Sequence, residues 1–307
     1  MSARPRDEGA HDARQPMFEL PDELAIDTGV ARRIIADFIR GQLRQAGFER
    51  CVLALSGGID SALVAYLIAE AVGPEQLQCV LMPYRTSSPA SRTDAEAVVA
   101  ALNCSSDVVE ITPMVDAYFG SDGAPGAGGS DAADASAVRR GNFMARTRMS
   151  VIYDRSVTFG GLVVGTGNKT EALIGYTTIY GDNACAFNPI GDLYKSQVRQ
   201  LAAALGVPGQ IIAKAPSADL WPDQTDEAEG AFSYPMLDRI LYWRIDRRRG
   251  TDELVEMGFD RALVERVERL VATSEFKRQV PPVAKLGPRT AGVDYLYPRR
   301  RPGSARA

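Results

Sequence analysis

The stretch CVLALSGGIDSALVAYLIAEAVG, residues 51–73, decides the fold. CVLAL (51–55) is an apolar run with the length of a strand buried on both faces of a parallel sheet. ALVAYLIAEAVG reads as an apolar-faced helix that ends near Gly73 and Pro74. Between them lies SGGIDS, a glycine-rich bend from strand to helix. Outward from this unit the pattern repeats. Upstream, TGVARRIIADFIRGQLRQAG (28–47) places Ile34, Ile35, Phe38, Ile39 and Leu43 at helical spacing, with Gly47 as a stop. Downstream, LQCVLMP (77–83) is a second strand, DAEAVVAALN (94–103) a helix and SDVVEI (106–111) a third strand. GGLVVGTG (160–167) is a further strand that runs into a glycine turn. Strands alternating with helices at this spacing predict an α/β fold with a doubly wound, mainly parallel sheet flanked by helices.

The intervening segments set the rest of the organisation. Residues 1–16 are polar and read as a disordered tail, and 17–286 as a single domain. GSDGAPGAGGSDAADASA (120–137) has no period and reads as a flexible loop insertion. Residues 138–156 form a basic helix, 192–206 another, and 237–278 a charged helical end. The stretch 216–235 reads as a long loop, and 287–307 as an Arg-rich C-terminal tail.

Composition narrows the function. The 307 residues carry 35 Lys+Arg against 39 Asp+Glu, a net charge of −4, and this balance disfavours nucleic-acid or acidic-membrane partners. A chain of this length buries roughly three quarters of its unfolded surface and needs no disulfide or metal staple. No apolar run approaches the ~20 residues of a bilayer span, and the N-terminal stretch has no signal-peptide core, so the expected compartment is the cytoplasm. Cys51, Cys79, Cys104 and Cys185 form no C-x-x-C pair, which argues for reduced structural thiols. The one histidine, His11, lies in the polar tail, so a Ser-His-Asp hydrolase or a His-ligated metal site has no histidine to use.

Ser56-Gly57-Gly58-Ile59-Asp60-Ser61 is the sharpest chemical feature. Two glycines allow a tight turn that brings backbone N–H groups close to a ligand. Serine hydroxyls add donors, and the first-turn amides of the following helix favour an anion. The loop has no lysine and is therefore not a G-x-x-x-x-G-K-[ST] loop.

S-G-G-x-D-S after a strand resembles the pyrophosphate loop of the N-type ATP pyrophosphatases. Four further stretches, GNFMARTRMSVIYDRS (141–156), GTGNKTEALIGYTTIYGDNACAFNPIGDLYKSQVRQLAAALGVP (165–208), SADLWPDQTDEAE (217–229) and EFKRQVPPVAKL (275–286), resemble the ammonia-dependent NAD synthetases. The resemblance spans roughly residues 28–286 and implies a Rossmann-like fold. It also implies an activity: ATP-dependent amidation of deamido-NAD through an acyl-adenylate, with ammonia as nitrogen donor and AMP and pyrophosphate released. Carried over by position, ATP would be contacted by Ala54, Leu55, Ser56, Gly57, Gly58, Ile59, Asp60, Ser61, Thr166, Lys195 and Ser217. Asp60 and Glu171 would hold Mg²⁺, and together with Lys195 they form the implied catalytic set. Asn142, Arg146 and Lys277 would contact deamido-NAD. Segments 83–91 and 218–235 would close over ATP, and the implied assembly is a homodimer. No glutaminase half is read here, so ammonia arrives free or from a partner glutaminase.

Three positions depart from the pattern of the bacterial ammonia-using enzymes. Ile179, Ala186 and Phe276 stand where those enzymes carry lysine, aspartate and histidine. They motivate a second reading, a paralogous amide synthetase acting on a different carboxylate. A tRNA-thiolating enzyme would need a reactive cysteine pair and a basic RNA face, which the sequence does not offer. A nucleotide-binding subunit without turnover would keep the loop and lose catalysis.

Overall fold

The computed structural model describes residues 20–119, 130–217, 232–291 and 293–294. Its centre is a four-stranded parallel sheet in the order β3-β2-β1-β4. The strands are β1 (Arg50–Ala54), β2 (Leu77–Leu81), β3 (Ser105–Val108) and β4 (Gly161–Val164). β1 pairs with β2 at Leu53↔Cys79 and with β4 at Leu53↔Val164. Cys51, Val52 and Leu53 are fully buried, as expected of a strand covered on both faces. The chain moves outward from β1 to β3 and then returns to β4 on the other side of β1. The switch point thus lies between β1 and β4, and the loops leaving their carboxyl ends share one crevice.

Helices cover both faces. On one side lie α1 (Thr28–Ala46), α2 (Ile59–Val72), α3 (Pro89–Leu102) and α7 (Lys195–Leu205). α2 buries nine of its residues because α1, α3, α7 and the sheet enclose it, which is why its sequence is apolar all round rather than striped. On the other side, α4 (Thr112–Phe119) and α5 (Ser130–Phe159) pack Val115, Phe119, Met144 and Ile152 against Val52, Val80 and Val163 of the sheet. A third apolar cluster joins α6 (Lys169–Ile174), α9 (Tyr234–Leu241), α10 (Thr251–Glu256) and α11 (Arg261–Thr273) through Leu237, Ile240, Leu254 and Val264. A short α8 (Gly209–Ala213) follows α7.

Several boundaries differ from the sequence expectation. Residues 130–137, expected in the loop insertion, form the start of α5. SDAADASA is alanine-rich, with aspartates near the helix N-terminus, and both features favour helix. The rest of that expected loop, 120–129, lies outside the described residues, as does the N-terminal tail. α3 begins at Pro89, five residues before the expected start, because proline is pre-set for the first helical position. The segment expected to close over ATP at 83–91 therefore ends in helix. Of the loop read at 216–235, residues 218–231 lie outside the described residues and Tyr234 opens α9. In α1, Ile35, Ile39 and Leu43 form the core face, whereas Ile34 is 64% exposed and Phe38 sits at the rim against the Phe187 ring.

Candidate active site

The bend after β1 is held by its own side chains. The Ser61 hydroxyl donates to the Gly58 carbonyl at 3.0 Å and accepts the Ser56 N–H at 3.2 Å. Ser56 Oγ accepts the Gly58 N–H at 3.2 Å and lies 3.1 Å from Ser61 Oγ. Gly57 takes φ +80°, a left-handed conformation that glycine adopts without strain. Leu55 and Ile59 turn their side chains into the main core, so of the expected ATP contacts these two can offer only backbone groups. Ala54 packs against the opposite face of the sheet. Ser56 is exposed at the mouth of the crevice.

Asp60, in the first turn of α2, meets Asn168 from the loop after β4 and Lys195 from the start of α7. Its Oδ1 accepts the Asn168 side-chain N–H at 2.9 Å, and its Oδ2 accepts Lys195 Nζ at 2.6 Å. The same ammonium donates to Glu171 Oε1 at 3.0 Å. Residues 60, 171 and 195 therefore form one cluster built from the starts of α2, α6 and α7, with the lysine buried and the two acids partly exposed. Asn168 also caps α6. Its side-chain oxygen accepts the Glu171 N–H at 3.0 Å, while Glu171 Oε2 accepts the Asn168 N–H at 3.2 Å. Burial pushes the Glu171 carboxyl up to about 7, against the pull of the Lys195 ammonium. Burial likewise opposes the Lys195 charge, but Asp60 and Glu171 outweigh it and raise the lysine above its ordinary range. A compact cation held between two carboxylates is the arrangement that a divalent ion and phosphate oxygens can also satisfy. Among the described residues no third His, Cys, Asp or Glu joins the two acids. That donor set suits Mg²⁺, which commonly takes one or two carboxylates and completes its shell with substrate phosphates and water.

Of the remaining expected ATP contacts, Thr166 lies half-buried in the turn after β4, two residues before Asn168. Ser217 is exposed at the end of the segment that follows α8.

The three residues expected to contact deamido-NAD also converge, and they do so on a loop. Lys277 Nζ donates to the carbonyls of Gly175 and Thr177 at 2.7 and 2.8 Å. Arg146 donates to the Ile179 carbonyl through Nε at 3.0 Å and Nη2 at 2.5 Å. Asn142 Oδ1 accepts the Thr178 hydroxyl at 2.8 Å. Burial lowers the Lys277 pKa, with Asp182 opposing. Asp182 accepts the Thr177 hydroxyl at 2.6 Å and the Thr178 N–H at 2.7 Å, closing the loop on itself. This loop leaves the C-terminal end of α6, the helix that carries Glu171. Ile179 contributes its carbonyl to the anchor, while Ala186 and Phe276 are exposed.

Sequence reasoning missed three members of the site. Asn168 had a readable signal, because N-K-T-E (168–171) has the spacing of a capping box. Asp238 stands in the apolar stripe Tyr234, Leu237, Leu241, where a lone carboxylate needs a partner. Thr170 carried no local signal. Its hydroxyl donates to Asp238 at 2.6 Å and accepts the Lys195 N–H at 3.0 Å.

Comparison with known proteins places this geometry among relatives. Residues 31–281 match the family model described as NAD synthase. The NH(3)-dependent NAD(+) synthetase of Trichlorobacter lovleyi is 50% identical over 276 residues, covering 90% of this chain and 97% of the relative. The solved structure of the NH3-dependent NAD synthetase from Campylobacter jejuni superposes with a TM-score of 0.70 at 35% identity, covering 85% of this chain and all of that one. The NMN synthetase from Francisella tularensis gives a TM-score of 0.71 at 28% identity, covering 85% and 99%.

Proposed function

The chain belongs to the NAD synthase family, and from that premise we propose that it amidates deamido-NAD to NAD⁺ with ATP and ammonia, forming a C–N bond as a ligase. The observation that carries the site assignment is the Asp60–Lys195–Glu171 cluster beside a glycine bend at the sheet's switch point.

A nicotinate carboxylate oxygen attacks the α-phosphorus of ATP. The bond to the β-phosphate bridging oxygen breaks, and pyrophosphate leaves. The acyl-adenylate is then attacked at its carbonyl carbon by ammonia. The C–O bond to AMP breaks and a proton is lost as the amide forms. No side-chain nucleophile takes part, so the chain's contribution is placement and charge. The backbone of 56–61 and the hydroxyls of Ser56 and Ser61 receive the phosphates, with Thr166 and Ser217 as further ATP contacts. Lys195 supplies a fixed positive charge beside them. Asp60 and Glu171 would hold Mg²⁺, which when bound neutralises charge on the phosphate oxygens. Arg146, Lys277 and Asn142 shape the loop at 175–182 that borders the deamido-NAD side.

A homodimer is part of the reading. Tyr118, Tyr153 and Val157 leave exposed apolar side chains on α4 and α5 that a second copy would cover. No helix among the described residues is long and apolar enough to cross a membrane, and the proposed compartment is the cytoplasm.

The test incubates the purified chain with deamido-NAD, ATP, Mg²⁺ and ammonia. Equal amounts of NAD⁺ and AMP are expected. Glutamine in place of ammonia gives turnover only if a partner glutaminase is added. Release of ADP instead of AMP, or no more NAD⁺ than an Asp60→Ala variant makes, overturns the reading. The likeness to an NMN synthetase keeps one comparison necessary. The acid precursor of NMN should be amidated less efficiently than deamido-NAD.

A further inference from the structure

Asp238 is fully buried, 0% exposed, on the face of α9 that otherwise buries Tyr234, Leu237 and Leu241. Its carboxylate is surrounded by donors. Oδ1 accepts the Thr170 hydroxyl at 2.6 Å, and Oδ2 accepts the Ser196 N–H at 2.8 Å and the Ser196 hydroxyl at 2.7 Å. Burial raises its pKa, opposed by those hydrogen bonds and by the Lys195 charge. Lys195, the nearby cation, has its ammonium committed to Asp60 and Glu171. A charged group kept under such a desolvation load, where an apolar residue would complete the stripe, points to something beyond packing.

The partners of Asp238 show what that is. Thr170 is the second residue of α6 and immediately precedes Glu171. Ser196 is the second residue of α7 and immediately follows Lys195. The Thr170 hydroxyl, while donating to Asp238, accepts the Lys195 N–H at 3.0 Å. One carboxylate therefore ties together the starts of the two helices that carry the site's second acid and its lysine. At α7 the carboxylate satisfies an orphan backbone donor, the Ser196 N–H, whereas at α6 it is held through the Thr170 hydroxyl.

We propose that Asp238 is a positioning residue: through Thr170 and Ser196 it fixes α6 against α7 and thereby sets where Glu171 stands relative to Lys195 for Mg²⁺·ATP. The inference rests on the site reading given above. It also explains why the residue is acid rather than amide. All three groups facing it are donors, and an asparagine would turn its own N–H groups toward at least one of them.

The test compares Asp238→Asn, Thr170→Val and Thr170→Ser in the full chain. Mg²⁺·ATP binding is read by titration calorimetry, beside kcat, the KM for deamido-NAD and thermal melting. Outer residues that hold metal ligands typically cost 10–100-fold when altered, so Asp238→Asn and Thr170→Val should weaken Mg²⁺·ATP binding about tenfold or more and lower kcat. The KM for deamido-NAD should stay within about twofold, and Thr170→Ser, which keeps the hydroxyl, should bind close to wild type. Should Asp238→Asn fail to fold, the Thr170 pair decides. Unchanged Mg²⁺·ATP affinity in folded Thr170→Val, or a Thr170→Ser variant as weak as it, overturns the inference while the site reading stands. An Asp60→Ala variant that binds Mg²⁺·ATP like wild type overturns both.

Discussion

The Ser91 carbonyl oxygen fills the space that a side chain at Gly57 would need. Gly57 lies in the bend after β1 and Ser91 in the first turn of α3, so the anion loop is braced from behind by a second βα unit. Replacement of Gly57 by alanine meets two obstacles, a φ of +80° and a backbone atom that cannot swing away. Gly57→Ala should destabilise the chain by about 2 kcal/mol or more and abolish measurable ATP binding. Gly47 is the control, because its φ is +78° with nothing within 4 Å of an added Cβ. Gly47→Ala should cost only about 1 kcal/mol and leave ATP affinity intact. Melting curves and nucleotide titration of the two variants check the contrast, and equal ATP affinity in both would refute it.

Lys195 holds two carboxylates together with its own side chain 3% exposed. Lys195→Met fits the same channel and leaves Asp60 and Glu171 facing each other with no cation. Breaking a buried ion pair from one side typically costs about 3–5 kcal/mol. The variant should melt far below wild type and recover part of the loss on addition of Mg²⁺, which can take the vacated place between the acids. Its kcat should fall by roughly 10²–10³. A variant whose melting point is insensitive to Mg²⁺ would show that the two acids do not form a cation site.

Burial pushes Glu171 up to about 7 from its ordinary 4.5. The folded chain then holds this proton more tightly than the unfolded chain does. Its contribution to stability is complete below about pH 4.5 and is lost as pH rises through about 7. In the nucleotide-free protein, Glu171→Gln should remove that fall and flatten the stability profile between these limits. Denaturant midpoints measured across the range check it. A variant profile parallel to wild type would mean that Glu171 does not carry the titration.

Much of the fold was legible because its strands are short apolar runs whose neighbours are helices of fixed reach. CVLAL and GGLVV need no tertiary information to be read as buried strands. The glycine bend was legible for the same reason, since its chemistry is local. The pairing of β1 with β4 was not, because strand order depends on where a crossover lands. Asp60, Glu171 and Lys195 could be named from motif resemblance, yet that one ammonium bridges both acids follows only from the meeting of α2, α6 and α7. Asp238 was hidden for a related reason. Its partners lie 68 and 42 residues away, and nothing in YPMLDRIL says which donors will face it. The start of α5 was misread because glycine-rich sequence runs directly into an alanine-rich helix.

The thiols should react in an order set by their surroundings. Cys79 Sγ lies 3.7 Å from Cys104 Sγ. The hydrogen bond from Cys79 lowers the Cys104 pKa, while that contact and burial raise Cys79. Burial pushes Cys51 up to about 12 and also raises Cys185. At about pH 8, iodoacetamide should therefore label Cys104 first, and Cys51 and Cys79 only when the chain unfolds. Peptide mass mapping over a time course gives the order. Labelling of Cys51 as fast as Cys104 in the folded protein would contradict it.

Lys277 reaches two backbone carbonyls, Gly175 and Thr177, in the loop that leaves α6. The role proposed for Lys277 in deamido-NAD binding is then indirect, through the shape of 175–182, as well as direct. Lys277→Met keeps the aliphatic stem and removes both bonds. Hydrogen bonds from a charged donor are worth about 1.5–3 kcal/mol each, so the loop should open more often and its amides at 176–182 exchange faster without any ligand present. The KM for deamido-NAD should rise about tenfold or more, with the KM for ATP unchanged, because the glycine bend after β1 is built independently of this loop. A raised KM with unaltered amide exchange would assign Lys277 to the substrate alone, whereas faster exchange with an unchanged KM would remove this loop from the deamido-NAD site.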